Sequence, residues 1–161
     1  MATYQFAHDV DEVFSRLTDP DFLVQRCIDL GDLDAESSVE PNGRKTIVML
    51  TRRVKRELPK ILAKLFGDEN TISIVETWEE IGSTKMGSFT ADIEGQPVSL
   101  TAKFKLKPTE SGCEYTADYK CKASIPLVGK KVEEFALSQT EGDLRKEMDY
   151  LTKNLAAVAL S

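Results

Sequence analysis

The chain has 161 residues, 41% of them hydrophobic and 30% charged, which suits one globular domain and argues against a disordered chain. With 27 acidic against 21 basic side chains the net charge is −6, which argues against nucleic acid as the main partner, because phosphate binding needs a surplus of Lys and Arg. No apolar run approaches the roughly 18 residues of a membrane span. The opening Met1-Ala2-Thr3-Tyr4-Gln5-Phe6 lacks the basic and apolar regions of a signal peptide, so a cytoplasmic protein is expected.

Thr3 to Ala7 alternates and predicts a first strand. Asp9 then reads as a helix N-cap, with Glu12 completing a capping box and Val10, Val13, Phe14 and Leu17 at helical spacing. Asp19-Pro20 starts a second short helix through Phe22, Leu23, Arg26 and Cys27, ended by Gly31. Six further strands are expected: Leu33 to Val39, Thr46 to Val54, Ile72 to Trp78, Gly87 to Ile93, Val98 to Leu106 and Cys113 to Ala123. Turn residues separate them at Pro41-Asn42-Gly43, Gly82-Ser83, Glu94 to Pro97 and Pro108 to Gly112.

The alternation also predicts register. Ile93 should face Val98, Ala91 should face Leu100 and Phe89 should face Ala102. A hairpin closing near Thr109 would set Phe104 opposite Tyr115, Ala102 opposite Ala117 and Lys105 opposite Glu114. Val39 facing Thr46 would keep Val48, Leu50 and Arg52 on the inward side. The result is an antiparallel sheet with one dry face and one wet face. Its cover is a helix from Pro126 to about Val158, carrying two apolar stripes: Val128, Val132 and Phe135, then Leu137, Leu144, Met148, Leu151, Leu155 and Val158. The first stripe runs on into Gln139 and Gly142, so the apolar face slips midway and Gly142 marks the expected bend.

Cys27, Cys113 and Cys121 have no CxxC spacing. Cys113 and Cys121 share a strand about 26 Å apart, at about 3.3 Å per residue, so they should remain reduced. His8 is the only histidine, and no ligand cluster accompanies it, so no metal is expected and its place is structural. No G-x-S-x-G, P-loop or dinucleotide fingerprint is present, and no cofactor is expected.

Two segments carry a family resemblance. Tyr4-Gln5-Phe6-Ala7-His8-Asp9-Val10-Asp11-Glu12-Val13-Phe14-Ser15-Arg16-Leu17-Thr18-Asp19-Pro20 looks like a strand-then-helix start, and Ile125-Pro126-Leu127-Val128-Gly129-Lys130-Lys131-Val132-Glu133-Glu134-Phe135 looks like the start of a closing helix. With the element order, they resemble the helix-grip superfamily of START lipid-transfer domains and birch-pollen-allergen-like proteins (SRPBCC type), most of all an uncharacterised bacterial branch. The resemblance implies an α+β fold: a seven-stranded antiparallel sheet wrapped around a long C-terminal helix, with two short helices after strand 1. It extends over nearly the whole chain, as a single START-like domain. For function it implies less, because its members include lipid carriers, cyclases and aromatases, hydrolase-like enzymes and chaperone co-regulators.

The candidate ligand-binding residues follow from the inward faces. Glu76 shares its face with Ile72, Ile74 and Trp78 and lies opposite Phe89, where a carboxylate is costly unless it is paired, protonated or wet. A register slip of one would instead send it to solvent. Arg52 is the expected partner of Glu76 or of a ligand acid, with exposure at the strand end as the alternative. Tyr115 and Tyr119 bring inward hydroxyls that meet either a ligand oxygen or partners in protein and water, while Trp78, Phe89, Phe104 and Phe135 form core or cavity wall, and Gln139 joins them from the closing helix. The basic stretch from Arg52 to Phe66 reads as an amphipathic gate, or as a solvated helix face; as a gate it would make transient membrane-surface contact.

The expected function is binding or carriage of a hydrophobic small molecule, lipid or polyketide-like, in an internal cavity. The alternatives are a cyclase or aromatase using Glu76 with Tyr115 or Tyr119, and a protein-interaction or chaperone-regulating module.

Overall fold

Asp9 ends the first strand by turning its side chain back onto the chain. In the computed structural model, which describes residues 1–160 and side chains through Ala156, its carboxylate accepts the Glu12 N–H at 2.9 Å. This follows β1 (Ala2–Phe6) and opens α1 (Val10–Leu17). The return half of the capping box does not form, because the Glu12 carboxylate instead pairs with His8 Nδ1 at 3.0 Å. Asp19 accepts the N–H groups of Asp21 and Phe22 and opens α2 (Pro20–Asp29), with Pro20 in the first turn, where a missing N–H costs nothing.

The chain continues as β2 (Asp34–Asn42), β3 (Lys45–Lys55), α3 (Lys60–Phe66), β4 (Glu69–Ile81), β5 (Thr84–Ile93), β6 (Val98–Thr109), β7 (Gly112–Ala123) and α4 (Gly129–Leu160). All seven strands form one antiparallel sheet in the order β1-β7-β6-β5-β4-β3-β2. This is the α+β architecture expected from the sequence.

Two hairpins close later than expected. Phe104 lies opposite Ala117, Ala102 opposite Tyr119 and Lys105 opposite Thr116, because the strands run on to a two-residue turn at Glu110-Ser111. Val39 likewise faces Val48, and Pro41 faces Thr46, because the turn is Gly43-Arg44 and Gly43 supplies a φ of 64°. Both shifts are by two residues, so every side chain keeps its face. The β5–β6 pairing agrees with expectation, with Phe89 opposite Ala102 and Ala91 opposite Leu100.

The closing helix begins at Gly129, three residues after Pro126, because Leu127 takes a left-handed φ of 70° that ends any helical run through it. It stays helical through Gly142. The slip in its apolar stripe has a cause in what faces it: Gln139, Asp143 and Glu147 continue the stripe from Phe135 at spacings of four and turn polar heads toward Arg52 of β3, Arg56 just after it, and Arg26 of α2. Val158 lies outside the described side chains.

α4 packs on β7 and β1. Leu144, Met148, Leu151 and Leu155 join Val13, Trp78, Phe104 and Leu106 in the main core, each large apolar side chain contributing about 1.5–3 kcal/mol by burial. A second cluster holds Cys27, Leu50, Ile74 and Ala91, and a third holds Leu62, Val98, Ala123 and Val132. The three clusters do not merge, and the space between them is the site described next. Among the described residues no helix is long and apolar enough to cross a membrane.

Candidate functional site

Because α4 leans on the β1–β7 side of the sheet, its other flank is reached by long side chains from the end of β3 and the residue after it. Arg52 Nη1 stands 3.7 Å from Glu147, and Arg56 bonds Asp143 at 2.7 Å and Gln139 at 3.0 Å. Behind these bridges lies a cavity of about 200 Å³, bounded by Leu50, Ile74 and Ala91 of the sheet, Leu62 of α3, and Val132 and Phe135 of α4. A polar cleft of about 150 Å³ adjoins it at Asp32, Lys55 and Lys146, sharing Arg52, Arg56, Gln139, Asp143 and Glu147, and forms its vestibule.

All nine sequence-derived candidates, Arg52, Glu76, Trp78, Phe89, Phe104, Tyr115, Tyr119, Phe135 and Gln139, border this cavity. Their roles differ. Trp78 and Phe104 are 1% and 3% exposed and stack at 5.6 Å between centroids, so they are wall built into the core. Phe89 and Tyr119 are half-buried and meet edge-to-face at 5.7 Å.

Glu76 faces inward opposite Phe89, as its register requires, while its neighbour Val75 is exposed. Burial pushes its carboxyl up to about 7, against the pull of the Trp78 indole N–H, which donates to Oε2 at 3.1 Å, and of the Arg26 charge. Glu76 is half-buried and borders the cavity.

Arg52 does not pair with Glu76. Its partner across the ladder is Ile72, and Glu76 lies four residues further along β4, about 13 Å away at about 3.3 Å per residue. Arg52 instead makes two hydrogen bonds to Asp32, at 2.7 and 2.9 Å, from the loop after α2. Nor does it run out to water, its side chain being only 13% exposed.

Tyr115 and Tyr119 titrate well above the ordinary phenol range because burial disfavours the phenolate, so both hydroxyls stay protonated. The basic stretch divides: Arg52 to Lys55 end β3, and only Lys60–Phe66 is helical. Leu58, Leu62 and Phe66 line the cavity, while Ile61 and Leu65 are exposed beside Lys60 and Lys64.

Arg26 is a cavity residue absent from the candidates drawn from the sequence. It sits on the apolar face of α2, four residues after Phe22, and that position was its signal in the sequence. Only 7% exposed, it borders the cavity, its Nε has no hydrogen-bond partner among the described residues, and Nη2 reaches Glu147 only at 3.9 Å. Asp32, Asp143 and Glu147, which hold the other arginines, lacked any comparable signal. The three thiols are free, and burial lifts those of Cys27 and Cys113 to about 11. Among the described residues no three His, Cys, Asp or Glu side chains converge as a metal site requires.

The chain is similar in fold to a conserved protein from Geobacillus kaustophilus of known crystal structure, with a TM-score of 0.50 and 16% identity over 94% of this chain and 93% of that one. None of the curated proteins matches it. A family model described as Protein of unknown function (DUF2505) matches residues 1–155, and the chain belongs to that family.

Proposed function

We propose that the chain is a cytoplasmic binding or carrier protein for a hydrophobic small molecule, in keeping with its resemblance to the START-like superfamily. The observation that supports this best is the unfilled space between three apolar clusters, walled by aliphatic and aromatic side chains and edged by a few polar groups. The volume narrows the ligand. A space of about 200 Å³ exceeds the roughly 150 Å³ cavity known to take benzene, but falls below the roughly 300–1,000 Å³ of drug-sized sites. One ring or a short chain fits this space, and a two-chain lipid does not.

Delivery at a membrane surface belongs to the same proposal. Ile61 and Leu65 are exposed on α3 next to Lys60 and Lys64, a pairing suited to an anionic interface, and Leu62 of the same helix lines the cavity. Native mass spectrometry of the protein purified from its own host should detect a small apolar species bound one to one. A clean apoprotein that takes up no apolar compound from a panel would overturn the carrier reading.

A second reading, a cyclase- or aromatase-type enzyme, draws on Glu76, a cavity carboxyl held near neutrality with Tyr115 and Tyr119 in the same cavity. In any turnover assay found for the protein, Glu76→Gln should lower kcat by about 100-fold or more. Unchanged turnover would remove Glu76 from the chemistry.

A further inference from the structure

A guanidinium has five N–H donors and no acceptor, and burying one without partners costs free energy that a bound molecule can return. Arg26 is in that position. It is more than nine-tenths buried, its Nε is orphaned among the described residues, its Nη2 stands beyond hydrogen-bond reach of Glu147, and it borders the cavity. Tyr115 and Tyr119 border the same space, and both feel the charge of Arg26. Neither tyrosine owes any of its shift to a side-chain hydrogen bond. The cavity therefore presents a surplus of donors in an apolar wall.

Charge selects among the acceptors that could meet them. Arg52 is matched by Asp32, Arg56 by Asp143, and Arg26 faces Glu147, so three cations meet three carboxylates around the cavity and its vestibule, with Glu76 a fourth acid that burial keeps protonated below about pH 7. An anionic ligand would add an uncompensated charge in a space where Glu76 already resists ionising. A cationic ligand would face Arg26. A neutral oxygen without a proton of its own satisfies the donors and adds no new one.

We infer that the cavity takes a neutral carbonyl compound about the size of one aromatic ring, its oxygen held by Arg26 together with the Tyr115 and Tyr119 hydroxyls. This rests on the binding reading above and names the chemical class of the ligand.

Three single-ring probes of similar size test it: ethylbenzene, acetophenone and benzoate, titrated calorimetrically into the full chain at pH 6. Acetophenone should bind about tenfold more tightly than ethylbenzene, the scale of one or two net hydrogen bonds. Benzoate should be the weaker of the two oxygen-bearing probes. Arg26→Met should erase the preference for acetophenone and leave ethylbenzene within twofold. Tyr119→Phe, which keeps the ring and removes only the oxygen, should reduce the preference severalfold, and it decides the matter if Arg26→Met does not fold.

Equal affinity for ethylbenzene and acetophenone would overturn the carbonyl assignment while leaving the binding reading standing. Benzoate binding tightest would overturn the neutral head group. If none of the three binds the folded protein, this inference falls, while the binding reading is decided separately by the bound species sought in native mass spectrometry.

Discussion

Glu76 and Trp78 stand two positions apart on one face of β4, and the indole N–H of Trp78 donates to the Glu76 carboxylate at 3.1 Å. The bond stabilises the ionised acid, yet burial outweighs it and the group titrates near 7 instead of 4.5. A carboxyl whose folded pKa is raised contributes stability that is whole below about pH 4.5 and is lost as the pH rises through about 7. Denaturant titrations should therefore show the wild type losing about 2–3 kcal/mol, relative to Glu76→Gln, between pH 4.5 and pH 8. A constant difference between the two proteins across that range would place Glu76 in bulk-like water. Trp78 is the only tryptophan, so its fluorescence should follow the same titration.

Gly87 lies opposite Trp78 on β5, and a Cβ there would stand 2.9 Å from the indole Cε3. The ring occupies the space that any other residue would fill. Gly87→Ala should cost about 1–3 kcal/mol by forcing the indole off its stack with Phe104, with a matching loss of near-ultraviolet dichroism. An unaltered dichroism spectrum and stability would contradict that packing.

The pairing of Arg52 with Asp32 ties the loop after α2 to β3. Asp32→Ala leaves a mostly buried guanidinium with Glu147 alone, at 3.7 Å, and should destabilise the protein by about 2–3 kcal/mol. Replacing both residues, Asp32→Leu with Arg52→Leu, should cost less than the single change, because no orphaned charge remains. Equilibrium unfolding of both variants checks the order.

What could be read in the sequence and what could not divide along a physical line. Alternation decides which face of a strand is wet, so Glu76 opposite Phe89 and the inward side of Tyr115 followed from pattern alone. Register between strands depends on where a turn closes, and Pro41-Asn42 and Pro108-Thr109 look like turn residues yet extend β2 and β6. Charged partners come from elements distant in the chain. Arg52 meets Asp32 and Glu147, and Arg56 meets Asp143, because α2 and α4 converge on the end of β3, which local pattern does not encode. The slipped stripe of α4 was visible, but its cause, a polar segment facing arginines, was not.

Arg56, the residue after β3, bridges the vestibule to Asp143 and Gln139 of α4, with both members of the ion pair partly in water. Such a pair contributes at most about 1 kcal/mol to stability. Arg56→Met should therefore change unfolding free energy little while raising the dissociation rate of a cavity-bound probe severalfold in stopped-flow exchange. An unchanged dissociation rate would mean that ligands enter elsewhere.

The space between α4 and β3–β5 is most directly tested by a crystal of the protein pressurised with xenon, which enters dry apolar cavities without needing a polar contact. The structure predicts xenon density bounded by Ile74, Phe89 and Phe135. A map with no xenon there, and with side chains of the protein itself filling the volume, would contradict the account.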